Sequence, residues 1–200
     1  MTIATVAHQP LMDRLWPAAQ RPLVRQAILA VLGSLLLWAS AKAQVPMWPV
    51  PMTMQSFVVL VIGMGYGFRL GTATVVLYLI EGAAGLPVFA GTPEKGIGLA
   101  YMMGTTGGYL VGFVIAAASV GWLAERGWDR TLPKAVAAMA VGSILLLIPG
   151  VAWLAVLIGF SKAVSLGLMP FIAGSVVKLA LAAAVMPLAW RAVEARDRRR

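Results

Sequence analysis

Residues 134–158 read KAVAAMAVGSILLLIPGVAWLAVLI, and after Lys134 the stretch carries no charged side chain. A helix crossing the roughly 30 Å hydrocarbon core of a bilayer needs about 20 mostly apolar residues, so this run is long enough to span a membrane. Working outward from it, further apolar runs lie at 166–190 on one side and at 103–124, 71–84, 53–68 and 23–41 on the other. The pattern predicts an all-α integral membrane protein with about six transmembrane helices. The runs at 53–68 and 71–84 are short for a span and predict tilting or shielding by neighbours. Composition points the same way: 60% of the 200 residues are apolar and 12% are charged, against roughly one-quarter charged in a soluble domain. The mean hydropathy is +0.88, and a soluble surface cannot be built from such a chain. One membrane domain is expected over 23–190, between an N-terminal tail, 1–22, and a short basic tail, 191–200.

Two connections stand out. Gln44-Val45-Pro46-Met47-Trp48-Pro49-Val50-Pro51 contains three prolines, which rule out regular helix and favour extended backbone. Between Gly85 and Gly98, Gly and Pro recur too often for a continuous helix, yet the segment stays apolar and reads as a loop held at the membrane. The net charge of +9 and pI near 10.7 would suit nucleic acid, but the basic residues sit at the ends of the apolar runs. One side of the six-helix arrangement holds Arg14, Arg21, Arg25, Arg69, Arg126, Arg130, Lys134, Arg191, Arg196, Arg198, Arg199 and Arg200, and the other holds Lys42, Lys95 and Lys162. Basic residues are retained in the cytoplasm, so both termini are expected there and the two loops outside. Nucleic acid is not needed to explain the charge. The chain has no Cys, and its one His, His8, lies in the tail. That excludes thiolate metal sites and most nucleophilic triads. No cleaved signal peptide is expected.

Chemistry must come from few residues. Glu81 and Lys178 fall within or at the edge of apolar runs, where a charge costs about 2.5–3.5 kcal/mol at a helix centre. Two readings stand: the pair bond each other or snorkel to an interface, or they serve a polar ligand. Gln55 and the segment Gly104-Thr105-Thr106-Gly107-Gly108-Tyr109 fall on the same external half. Backbone N–H groups and Thr hydroxyls at a helix start bind carboxylates or carbonyls, and glycines admit close approach. The same residues equally suit a helix cap with close helix packing. Trp48, Phe89, Tyr101 and Tyr109 suit an interfacial aromatic belt and also the walls of a mostly apolar pocket. Ala27, Ala30 and Ser34, with Ala39 and Ala43 further along, form a small-residue face for close contact with a partner helix or with the protein's own bundle.

The ordered motifs resemble a known family. Gly82-Ala83-Ala84-Gly85-Leu86-Pro87-Val88-Phe89-Ala90-Gly91, followed by Gly104-Thr105-Thr106-Gly107-Gly108-Tyr109-Leu110, is similar to the signature of the BioY biotin transporters. The resemblance extends to Pro49-Val50-Pro51-Met52-Thr53-Met54-Gln55, to Phe68-Arg69-Leu70-Gly71, and to Met169-Pro170-Phe171-Ile172-Ala173-Gly174-Ser175-Val176-Val177-Lys178. It implies a six-helix substrate-binding S component of an energy-coupling factor (ECF) transporter in the cytoplasmic (inner) membrane. Such a subunit takes biotin from outside and works with a transmembrane coupling protein and two cytoplasmic ATPases. The chain has no GxxxxGK[ST] loop, in keeping with ATP hydrolysis residing elsewhere. No covalent chemistry and no cofactor are implied, biotin being the transported ligand.

The implied substrate-binding set is Gln55, Glu81, Phe89, Thr92, Thr106, Gly107, Gly108, Tyr109, Phe171, Ser175 and Lys178. In it the ureido end meets the helices over 71–84 and 166–190, the valerate end meets the start of the helix over 103–124, and the 44–51 and 85–98 loops form a lid. Thr105 stands where the family commonly has Pro, and Ser175 where an acidic residue is common. Glu81 is the carboxylate available to replace the latter. Ala27, Ala30 and Ser34 are the candidate docking face for the coupling protein. The alternatives are a solitary biotin transporter, as a monomer or an oligomer, an S component for another vitamin, an intramembrane enzyme, and a purely structural helix bundle. The enzyme reading lacks a pair of membrane carboxylates, and the structural one gives no account of two buried charges.

Overall fold

The computed structural model describes residues 9–16, 22–46 and 48–197. His8, Arg21, Arg198, Arg199 and Arg200 lie outside the described residues, as do several side chains of the last helix, Ser175 among them. The elements in chain order are α1 (Leu11–Leu15), α2 (Pro22–Lys42), the strands β1 (Gln44–Val45) and β2 (Met52–Thr53), α3 (Gln55–Ala83), α4 (Gly98–Met102), α5 (Gly107–Ala124), α6 (Leu132–Ile158), α7 (Phe160–Lys162), a π-helical segment (Ala163–Leu168) and α8 (Met169–Asp197). The strands pair antiparallel, Gln44 opposite Thr53 and Val45 opposite Met52, and close the Pro-rich segment into a strap.

The apolar runs at 53–68 and 71–84 appear as one helical element broken at Gly67, where φ is 80° and ψ −179°. The break folds the chain back on itself. A Cβ on Gly71 would lie 3.0 Å from the Cα of Gly63, and Gln55 reaches Tyr78, 23 residues on, with a 2.7 Å hydrogen bond. Along one straight helix those two residues would stand about 34 Å apart at 1.5 Å per residue. Gly67 meets the φ > 0 requirement of the turn. Glu125, at the end of α5, takes up the exposed Phe68 N–H at 2.9 Å. Short α1, which apolar periodicity did not reveal, covers the same end. Leu11 is buried, and Arg25 holds Asp13 at 2.8 Å and the Met12 carbonyl at 2.7 Å.

Helix α5 is buried on nearly every side and packs between α3 and α6. Helix α6 turns Ala135, Ala138, Met139, Gly142, Leu146, Gly150 and Leu154 inward, a three- and four-residue repeat that defines one helix face. Its other face shows Ile144, Ile148 and Val156, and α2 likewise presents Leu32, Leu35 and Leu36 outward. So much exposed aliphatic surface suits lipid rather than water. Among the described residues, four helices are long and apolar enough to cross a membrane: Leu23–Lys42, Gln55–Ala83, Gly107–Ala124 and Leu132–Ile158. The apolar run beginning at 166 enters through the π-helical segment, and regular α-helix starts at Met169. Pro170 has no N–H to return to residue 166, and its ring crowds that carbonyl, which favours the wider turn just before it. Far along α8, Trp190 Nε1 donates to Asp129 at 2.5 Å, and the Arg130 guanidinium lies 3.4 Å over the Trp190 ring.

Candidate ligand site

At the opposite end of the bundle from α1, the strap, the start of α3, the loop after α3, the start of α5 and the start of α8 converge on one cavity. Its walls are mostly apolar and aromatic: Val50 and Pro51 from the strap, Phe89 from the loop, Tyr101, and Tyr109 with Phe171. The cavity volume is about 40 Å³, whereas small-molecule sites run to about 300–1,000 Å³. In this conformation the loops are closed down on the space.

The aromatic walls are fixed by hydrogen bonds and stacking. Phe89 is buried, edge-on to Tyr78 at 5.5 Å between centroids and stacked on Tyr101 at 4.9 Å. Tyr101 donates to the Ala90 carbonyl at 2.8 Å. Burial raises its phenol above the ordinary value, so it remains a proton donor at neutral pH. Tyr109 stacks on Phe171 at 5.5 Å and gives its hydroxyl proton to the Gly167 carbonyl in the π-helical segment at 2.7 Å. It therefore offers the cavity a ring face, with its donor already engaged.

The polar side is formed by Thr53, Gln55, Ser56 and Thr106. Gln55 is buried and donates to Tyr78 Oη, which in turn donates to the Val88 carbonyl at 2.9 Å. Lys178 stands behind this wall. Its ammonium donates to the Thr53 carbonyl and, at 3.1 Å, to Ser56 Oγ, while its stem lines an adjoining groove with Met52 and Met54. Thr53 belongs to both depressions, so a positive charge lies one residue's thickness from the cavity.

Of the residues singled out from sequence, Gln55, Phe89, Thr106, Tyr109 and Phe171 line the cavity, and Lys178 backs it. Gly107 and Gly108 serve packing: a Cβ on the first would meet the Met102 carbonyl, and on the second the Pro149 carbonyl and Trp153. The first turn of α5 offers fewer free donors than its sequence suggests, since Gly107, Tyr109 and Leu110 N–H groups already bond the Gly104 and Thr106 carbonyls. Thr92 turns to Phe89 and Lys42. Glu81 accepts a 3.0 Å hydrogen bond from Ser34 and is not in the cavity wall; the structure does not bring it to Lys178. Ser34 is thereby turned inward, while Ala27 is exposed and Ala30 half-buried. Thr105 donates to Pro49 at 2.9 Å, tying the strap to the entrance of α5. Sequence reasoning passed over Ser56, whose one visible signal is its place beside Gln55, and Tyr78, which sits inside an apolar run.

The BioY family model matches residues 9–195 of this chain. The chain belongs to the BioY family. The match runs from the residue before Pro10 almost to the end of α8, so every residue of the cavity wall falls within it. Among individual BioY proteins, the chain is 37% identical over 158 residues to the probable biotin transporter BioY of Pyrococcus horikoshii, covering 79% of this chain and 91% of that one. It is also 37% identical over 163 residues to the biotin transporter BioY of Thermotoga maritima, covering 81% and 94%. The fold is similar to the crystal structure of the S-component for biotin from an ECF-type ABC transporter, with a TM-score of 0.75 and 20% identity over 87% of this chain and 95% of that one.

Proposed function

We propose that this BioY protein captures biotin in the cavity beneath the strap and the 85–92 loop, as the substrate-binding subunit for its uptake. The observation that carries the reading is the cavity's division into a stacked aromatic side and a short polar side backed by the half-buried Lys178. Biotin has a compact ring system with a polar ureido group at one end and a carboxylate on an apolar chain at the other. The cavity must widen to admit it; the ureido end then meets Gln55 and Ser56, the ring system meets Phe89, Tyr109 and Phe171, and the carboxylate chain runs toward Thr106. Specificity follows because an analogue lacking a polar partner leaves a buried group unsatisfied. Glu81 is assigned no ligand contact.

In this reading the chain is the S component of an ECF transporter in the cytoplasmic membrane and docks on a coupling protein served by two ATPases. Family membership and the likeness of the fold support it. The break at Gly67 supports counting α3 as two spans, which with α2, α5, α6 and α8 gives the six-helix topology with both termini in the cytoplasm. Ala27 and Ala30, on the less covered side of α2, remain the docking face, whereas Ser34 is committed to Glu81. The test is displacement of labelled biotin from the purified chain. Unlabelled biotin should compete and thiamine or riboflavin should not; equal displacement by another vitamin would overturn the ligand assignment.

A further inference from the structure

Phe89 closes one wall of the cavity, and the way its loop is held singles out Lys42, the last residue of α2. The Lys42 ammonium lies 3.1 Å from the Pro87 carbonyl, 3.4 Å from that of Phe89 and 3.2 Å from that of Thr92, with Thr92 Oγ1 at 3.3 Å. The intervening carbonyls face the other way. Val88 accepts from Tyr78 and Ala90 from Tyr101. Carbonyls 87 and 89 are thus gathered by α2, and 88 and 90 by the core. An ammonium has three donors and no acceptor, so these four oxygens saturate it. Among the described residues no carboxylate lies within ion-pair distance of Lys42, and the partners its exposed ammonium finds in the protein are this ring of oxygens.

The geometry makes the loop's position matter. The Phe89 ring fills a slot between Tyr78 and Tyr101 and lies against Gly82, where a Cβ would strike the ring. A small shift of the loop backbone therefore withdraws the ring and opens the cavity wall. We infer that Lys42 is a positioning residue for ligand retention: by gathering the 87, 89 and 92 carbonyls it holds Phe89 closed over the bound molecule and slows its release. The inference rests on the biotin reading for its ligand. A residue that holds a closed wall acts mainly on the dissociation rate, as most interface changes do.

The experiment compares wild type, Lys42→Met and Lys42→Arg as purified full-length chains, following release of labelled biotin and amide hydrogen exchange over residues 86–93 without ligand. Lys42→Met keeps the stem and removes the donors; it should release biotin about tenfold faster or more with association changed less than about twofold. Exchange should rise in the 86–93 segment and not in α5, and Lys42→Arg should recover most of the slow release. Wild-type release and exchange in Lys42→Met would overturn the inference. Should that variant fail to fold, Lys42→Gln, which retains two N–H donors, must show intermediate release, and unchanged release would overturn it equally. If wild type itself binds no biotin, the vitamin assignment falls, and the exchange comparison alone decides whether Lys42 holds the loop.

Discussion

Lys178 and Glu81 invite the same reading in the sequence, because each is a charge among apolar residues, and the structure separates them by their partners. Lys178 bonds the carbonyl of Thr53 and the hydroxyl of Ser56, both in the cavity wall. Glu81 receives the Ser34 hydroxyl between α2 and α3. Nothing local in the chain distinguishes them, since Ser56 is 122 residues from Lys178 and Ser34 is 47 from Glu81. Gln55 was legible as a polar residue at a helix start, and Phe89, Tyr109 and Phe171 were legible through the family motifs. Their hydrogen-bond and stacking partners were not, because those are tertiary. Replacing Glu81 with Gln keeps an acceptor for Ser34 and removes a charge that lies outside the cavity wall. Biotin affinity of that variant should stay within about twofold of wild type, a change smaller than the loss of one net hydrogen bond. A loss of about a hundredfold in a binding titration would place Glu81 in the site after all.

At the scale of elements, the apolar runs at 23–41, 103–124 and 134–158 overlap α2, α5 and α6, whereas hydropathy did not give the turns between runs. The reversal between the 53–68 and 71–84 runs was legible as Phe68-Arg69-Leu70-Gly71, yet the backbone turns at Gly67, the residue able to take φ of 80° there. The spacing of apolar residues carries no information about which glycine adopts that conformation. The π-helical entry to α8 was equally hidden, and α1 is too short to leave a periodic trace. Gly67→Ala forces a side chain onto φ of 80° and ψ of −179°, a region essentially confined to glycine, at about 1–3 kcal/mol, and sets a Cβ 2.7 Å from Pro10 Cγ and 2.8 Å from Glu125 Oε1. Thermal unfolding in detergent should show the variant melting several degrees lower, by at least the equivalent of about 1 kcal/mol. An unchanged melting temperature would mean that the reversal does not depend on this glycine.

Across the whole molecule, one end carries α1, the Gly67 turn and the Asp129–Trp190 contact with most of the arginines, and the other carries the cavity beneath the strap and the Lys42-held loop. The basic asymmetry predicts that the cavity end faces outward. Because the chain contains no Cys, single substitutions report cleanly. In intact cells an impermeant maleimide should label Glu94→Cys and leave Lys134→Cys unlabelled until the membrane is opened; the reverse pattern would invert the topology. Fold class was readable from composition and apolar run length alone, because lipid imposes both, whereas the cavity's small closed volume depends on how distant loops settle over it. Equilibrium binding of labelled biotin to purified wild type and to Lys178→Ala tests whether the wall that Lys178 braces binds the vitamin. Wild type should bind saturably and the variant should lose at least about tenfold with folding retained, because Thr53 and Ser56 in the cavity wall then lose their bonds to a charged group, each worth about 1.5–3 kcal/mol. Equal binding by the variant would remove Lys178 from the site, and no binding by folded wild type would overturn the vitamin assignment.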